Sequence, residues 1–376
     1  MHLFMRTFEF SMRGSLFTHP HPILPATIHW MNPAALYLAS GDSLYPGAVL
    51  LLSAAIPSPS VQNRGLRVLR GLATWLGFAL IVMASPPVSG WVAAVFLVAF
   101  ALWLITADRL RAGVFWARMR SASAATMILW LLVVPVSELL HRRMPRVEGK
   151  SSDHLVVIGD SFSAGIDSQT PAWPALFQHQ TNVAVQNLSR PGAGVVEARA
   201  QASRVDAKAT LILIEIGGND LLAGMSSAEF GEALNSLLAS LSTPEHTLVM
   251  FELPLLPHKI GFGQMQRRLS AKYGVFLIPR HFFTSVLSGT DATSDGLHLS
   301  DLGARRMATL VERALLLPPA PAPVKLDREV SLFSPRSALS ACAKAAEQHC
   351  KTISASAMHP TTIKTRFIFP APSLWF

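Results

Sequence analysis

Cysteine is nearly absent from this chain. Of 376 residues only Cys342 and Cys350 carry a thiol, and both lie near the C-terminus. Two such residues make neither a Cys-x-x-Cys pair nor a Cys/His zinc pattern, so a thiolate metal centre is excluded. They read as unpaired thiols, with a mutual disulfide open to them only if the tail is extracytoplasmic. Charge is scarce as well: 15% of residues are charged against 50% hydrophobic, more apolar than an average soluble chain. No P-loop and no GxGxxG opening a helix is present, so no cofactor is expected. His154, His179, His246, His258 and His281 lack metal-site spacing and read as surface or loop residues. Residues 1–32 lack the charged, apolar and small-residue order of a signal peptide. They read as an N-terminal extension, with Met31 a candidate later start.

What charge there is, is unevenly placed. The net charge of +9 divides into +8 over residues 1–150 (13 Lys and Arg against 5 Asp and Glu), −3 over 151–317 (12 against 15) and +4 over 318–376 (7 against 3). The basic excess lies beside apolar runs rather than on a polar domain, which points to a membrane and away from nucleic acid. Four apolar stretches occupy about 33–56, 71–86, 89–107 and 122–140. A bilayer core takes about 20 apolar residues per helix. By that measure the third and fourth span, the second is slightly short, and the first is interrupted by Ser40, Asp42 and Ser43. Residues 33–141 are therefore expected to form a membrane region of three or four helices; buried helices of a soluble domain are the competing reading. Arg64, Arg67 and Arg70 precede the second stretch, and Arg109, Arg111, Arg118 and Arg120 separate the third from the fourth. Positive loops stay cytoplasmic, which places everything after residue 141 outside an inner membrane; Arg142, Arg143 and Arg146 run against that placement.

From residue 153 the texture changes. Short apolar runs at 154–158, 183–188, 210–216, 247–253 and 275–278 alternate with helical patterns, notably at about 226–241, 262–273 and 301–316. Strands apolar throughout and separated by helices predict an α/β domain with a parallel sheet covered on both faces, over residues 150–317. In such a sheet, sites form in the loops beyond the carboxyl ends of the strands. After 317 comes a Pro/Ala linker, "LPPAPAPVKL", and a tail to 376 without a period long enough to fold.

Polar residues follow those strands in a fixed order. Ser161, in "GDSFSAG" (159–165), comes directly after the first strand. A serine hydroxyl needs a base and an oxyanion hole before it becomes a nucleophile. "NLSRPGAG" (187–194) offers Gly192, whose backbone N–H a ligand can approach closely, and "IEIGGNDLL" (214–222) offers the Asn219 amide. "SDGLHLSDLG" then places Asp295 three residues before His298, ahead of a helix that Ser300 or Asp301 caps. A carboxylate so placed fixes an imidazole tautomer for general-base work. Each feature alone also suits an ordinary turn. Glu215 and Glu252, at strand ends, read as structural hydrogen-bonders, and Asp160 as a turn former.

Taken together, the four blocks "GDSFSAG", "NLSRPGAG", "IGGND" and "DGLH" resemble those of the SGNH (GDSL) hydrolase family. "WPALF" (173–177) and "ELPLLP" (252–257) are most similar to its bacterial thioesterase I, lysophospholipase and arylesterase branch. The resemblance runs from about 154 to 317 and implies a flavodoxin-like three-layer α/β/α fold. It implies Ser161 as nucleophile, His298 as base and Asp295 as its orienter. The N–H groups of Ser161 and Gly192 and the Asn219 side chain would form the oxyanion hole. The implied reaction is hydrolysis of carboxylic esters or thioesters, lipid-like or acetylated; transfer of the acyl group to a sugar or lipid hydroxyl is the second reading. Phe162 stands where the family has Leu, and Leu299 where a proline often follows the histidine. A literal "GDSL" at 41–44 has none of these partners and is a decoy.

Overall fold

The computed structural model describes residues 33–56, 64–106, 113–145, 147, 154–165, 171–205, 211–257, 259–289, 291–295 and 298–315. The expectations for residues 1–32, the Pro/Ala linker, the tail, Cys342, Cys350 and His258 lie outside them.

The first stretch breaks in two. Helices α1 (Pro33–Ala39) and α2 (Leu44–Ala55) meet at 77° across the polar turn 40–43. Ser40 Oγ there accepts from the Asp42 N–H and Gly41 adopts φ +83°. The second stretch begins earlier than its apolar run: α3 covers Arg64–Ala84, 21 residues, because the arginines at 64, 67 and 70 are good helix formers joined to it without a breaker. The third is shorter than expected. Helix α4 is only Gly90–Ile105, 16 residues, started by the Pro86-Pro87 turn before it. Helix α5, Val114–His141, runs 28 residues with Pro135 inside. By length and composition α3 and α5 could each cross a membrane, and the bent α1–α2 pair could be a third span.

These helices pack around Leu51, Ile81, Phe96, Phe100, Met127 and Leu131. Gly47 and Gly77 let α2 and α3 touch backbone to backbone: a Cβ on either would come within 2.9 Å of the other's carbonyl oxygen. Small residues at such crossings give apolar helices their closest packing.

The second part is a five-stranded sheet in the order β2-β1-β3-β4-β5, all parallel. The strands are β1 (His154–Gly159), β2 (Ala184–Asn187), β3 (Leu211–Glu215), β4 (Thr247–Phe251) and β5 (Phe276–Ile278). Between and after them come α6 (Ser161–Ala164), α7 (Trp173–Thr181), α8 (Val195–Ala202), α9 (Gly218–Ala223), α10 (Ser227–Leu241), α11 (Ile260–Tyr273), α12 (Arg280–Leu287) and α13 (Asp301–Ala314). Side chains alternate between faces along each strand. Val156, Ile158, Ile212, Ile214 and Met250 pack under α8, α10 and α11. Leu155, Val157, Leu213, Val249 and Phe251 pack under α7, α12 and α13, where Leu36 of α1 joins them. Both faces are covered, which gives the α/β/α layering the apolar strands called for. Ser300 caps α13, its Oγ accepting from the Gly303 N–H at 3.1 Å.

Candidate active site

Strand β1 carries the chain to the carboxyl edge of the sheet and ends at Gly159, where a Cβ would lie 2.9 Å from both the Ser163 and Ser189 hydroxyls. Gln201 of α8 clamps this glycine, accepting from its N–H and donating to its C=O, each at 2.9 Å. Asp160 caps the single turn α6 by accepting from the Phe162 N–H at 3.0 Å. Ser161 is therefore the first residue of a helical turn. It opens onto a cavity of about 260 Å³ shared with Phe162, Pro171, Trp173, Leu299 and Ser300. Phe162, the departure from leucine, spends its ring edge-on against Phe283 at 5.4 Å.

Asp295 and His298 lie in the loop before α13. One carboxylate takes two bonds from the same histidine: Oδ1 accepts from the His298 N–H at 2.7 Å, and Oδ2 from Nδ1 at 2.6 Å. With the Nδ1 proton committed to a carboxylate, Nε2 keeps its lone pair for another donor. Backbone bonds close the loop stem, from the Ser294 N–H to His298 O at 2.9 Å and from the Ser300 N–H to Ala292 O at 3.0 Å. Leu299, where the family resemblance leads to the expectation of a proline, pairs with Thr293 as an antiparallel bridge. The same leucine lines the Ser161 cavity.

Gly192 is exposed beyond β2 with φ +75°. No atom would crowd a Cβ there, so the backbone angle is what calls for glycine. Asn219, in α9 beyond β3, joins the loops of three strands. Its Nδ2 donates to Asp160 Oδ2 at 3.2 Å, beside Ser161, and to Ala193 O at 2.9 Å, beside Gly192.

Beneath Ser161 lies a polar layer whose extent the motifs did not reveal. Glu215 closes β3 fully buried, and its carboxyl is pushed well above the usual range, first by burial and then by the neighbouring Asp160. It accepts from Ser163 Oγ at 3.0 Å, and Ser163 in turn accepts from Trp173 Nε1 at 3.1 Å. Burial likewise pushes Asp160 up to about 6, partly opposed by the bond from the Phe162 N–H. Two carboxyls so close do not both ionise easily, so Glu215 keeps the proton. Asp220, also raised by burial, accepts from the Val195 N–H at 2.9 Å and fixes the loop after β2. The available sequence signal was an acid ending the otherwise apolar run "LILIE". Among the described residues no three His, Cys, Asp or Glu side chains gather as a metal site.

The GDSL-like lipase/acylhydrolase family matches residues 157–306, the span that holds this geometry. The esterase TesA of Pseudomonas aeruginosa is 32% identical over 161 residues, 38% of this chain and 78% of that protein. The chain belongs to the GDSL-like lipase/acylhydrolase family. The Escherichia coli protein named thioesterase 1/protease 1/lysophospholipase L1 is 28% identical over 158 residues, 39% of this chain and 76% of its own length. A crystal structure of TesA covers 43% of this chain at 26% identity, with a TM-score of 0.39. As a member of the GDSL-like family, the protein is a hydrolase acting on ester bonds. The family match begins at residue 157, so the helices up to residue 141 lie outside it.

Proposed function

We propose that this chain is a membrane-anchored serine esterase that cleaves carboxylic esters or thioesters through an acyl-enzyme on Ser161. The observation that carries the reading is the two-point grip of Asp295 on His298, in a loop whose Leu299 shares a cavity with Ser161. In this mechanism His298 Nε2 takes the Ser161 proton as Oγ attacks the ester carbonyl, and Asp295 stabilises the imidazolium that forms. The N–H groups of Ser161 and Gly192 receive the oxyanion, with the Asn219 amide. Of the two bonds Asn219 makes, the 3.2 Å bond to Asp160 is the one exchanged for the oxyanion. His298 then protonates the departing alcohol or thiol, and water, activated by the same base, frees the acid.

Membrane anchoring draws on the surface of the helices. Among the described residues, every exposed large apolar side chain except Val196, Leu222 and Leu302 belongs to residues 33–141. An apolar surface of that breadth is not left to water. The inner membrane, with the hydrolase part on its outer side, is the placement that suits Arg64, Arg67 and Arg70 at the start of α3 and Arg118 and Arg120 at the start of α5.

Hydrolysis of p-nitrophenyl butyrate by the detergent-purified protein tests the catalytic reading. Ser161→Ala should lower the rate by about 10³-fold or more and abolish labelling by a fluorophosphonate. An unchanged rate in that variant sinks the assignment.

A further inference from the structure

All strands of the sheet are parallel, so their carboxyl ends share one edge. Ser161, Gly192 and Asn219 follow β1, β2 and β3 at that edge. The carboxyl ends of β4 and β5, at the same edge, hold the helices. Glu252, just past β4, accepts from Arg267 Nε at 2.7 Å, and the two terminal nitrogens of Arg267 grip Glu138, near the end of α5, at 2.6 and 2.9 Å. Arg280, two residues past β5, donates its N–H to Glu252 at 3.1 Å and its Nη2 to Ala84 O, the last residue of α3, at 2.9 Å. The Leu255 N–H donates to Ala39 O at the end of α1.

The decoy motif is part of this joint. Gly41 sits at φ +83°, which favours glycine, and a Cβ there would also strike the Arg280 guanidinium. Asp42 pairs with Arg142, which lies over the Tyr45 ring. Ser43, fully buried, donates to Leu80 O at 3.0 Å. Helix α1 packs on α12, whose Phe283 touches Phe162 in the wall of the Ser161 cavity. Among the described residues the parts of the helices that meet the hydrolase part are one set: α1 with the turn leading into α2, the end of α3 with the Pro87–Val88 turn after it, and the end of α5. If the helices span a bilayer, those parts lie at one of its surfaces.

We infer that the catalytic edge is fastened face-down to the bilayer surface, and that the substrate is an acyl ester resident in the same membrane, taken laterally rather than from solution. The inference rests on the membrane-anchored esterase reading above. It follows from the direction of a parallel sheet: one edge cannot both hold the membrane helices and turn its serine to the opposite side.

The test uses the full chain reconstituted in phosphatidylethanolamine/phosphatidylglycerol vesicles. The probe is a phosphatidylcholine whose two acyl chains carry self-quenching fluorophores and which does not exchange between vesicles. It is placed either in the enzyme's own vesicles or in separate ones. Confinement to one surface should make same-vesicle hydrolysis at least about tenfold faster at equal total lipid. Gly41→Val and Glu138→Ala, which loosen the joint, should bring the two rates together while p-nitrophenyl butyrate hydrolysis in water stays within about twofold, since neither residue touches the triad. Equal rates in the wild type, or no release of the probe while Ser161-dependent p-nitrophenyl butyrate hydrolysis persists, overturns the inference and leaves the esterase reading standing. A same-vesicle preference that survives both substitutions also overturns it. Loss of Ser161 labelling and of all ester hydrolysis in the wild type is failure of the esterase reading itself. A variant that does not fold is recognised by loss of labelling, and the wild-type comparison then decides.

Discussion

Asp295 spends both carboxylate oxygens on one histidine, and the chemistry follows from that economy. Replacement by Asn keeps the size but can donate as well as accept, so the wrong tautomer of His298 becomes available. Asp295→Asn should lower kcat on p-nitrophenyl butyrate by about 10²–10⁴-fold with KM little changed; a loss under twofold would remove Asp295 from the mechanism. Asp160 offers a different test, because its carboxyl is raised to about 6 by burial. A raised carboxyl means the folded protein holds the proton more tightly than the unfolded chain. Its contribution is full below about pH 4, is lost as pH rises to about 6, and changes no further above that. Thermal unfolding in detergent from pH 4 to 8 should show the wild type falling relative to Asp160→Asn through that window. Parallel curves would count against the buried pair with Glu215.

At the scale of elements, α2 and α3 depend on two glycines that no hydrophobic pattern singles out. The Gly77 Cβ position is 2.9 Å from Gly47 O and 3.0 Å from Leu50 Cβ, contacts without slack. Gly77→Val should cost about 1–3 kcal/mol by overpacking, read as a lower unfolding temperature in detergent with p-nitrophenyl butyrate hydrolysis retained. Much at this scale was legible beforehand. The five strands lie where the apolar runs put them: β1, β3 and β4, buried on both faces, need apolar side chains at nearly every position, whereas β2, with Gln186 and Asn187, is a partly exposed edge strand. Helices such as α7, α8 and α12 were not singled out. They are short, at 9, 8 and 8 residues, too brief for a helical period to stand clear of its neighbours.

For the whole molecule, the question is which way the helices run. Arg70 Nε donates to Ala54 O at 2.6 Å and Arg120 Nη1 to Trp103 O at 3.0 Å, capping the ends of α2 and α4 far in sequence from the joint. At the other end Arg142, which opposed the expected orientation, is neutralised by Asp42. The proposed orientation puts Cys342 and Cys350 outside with the hydrolase part. A membrane-impermeant maleimide added to intact cells with a permeabilised outer envelope should label them, after reduction, as fully as in lysed cells. Labelling only after lysis would reverse the topology.

The sequence by itself determined the alternation of strands and helices, the apolar stretches and the order of Ser161, Gly192, Asn219, Asp295 and His298. These are local properties, set by the period of burial and by the chemistry of short motifs. Only the tertiary structure decided that Glu215 lies against Asp160, that Asn219 ties three loops together, and that Glu138 meets Arg267 across 129 positions of chain. A buried charge or a donor takes whichever partner the packed fold brings within about 3 Å, and sequence spacing carries no record of that. The "GDSL" at 41–44 is the sharpest instance: without a strand to feed it or a histidine to serve it, its glycine makes room for Arg280 and its serine holds a helix.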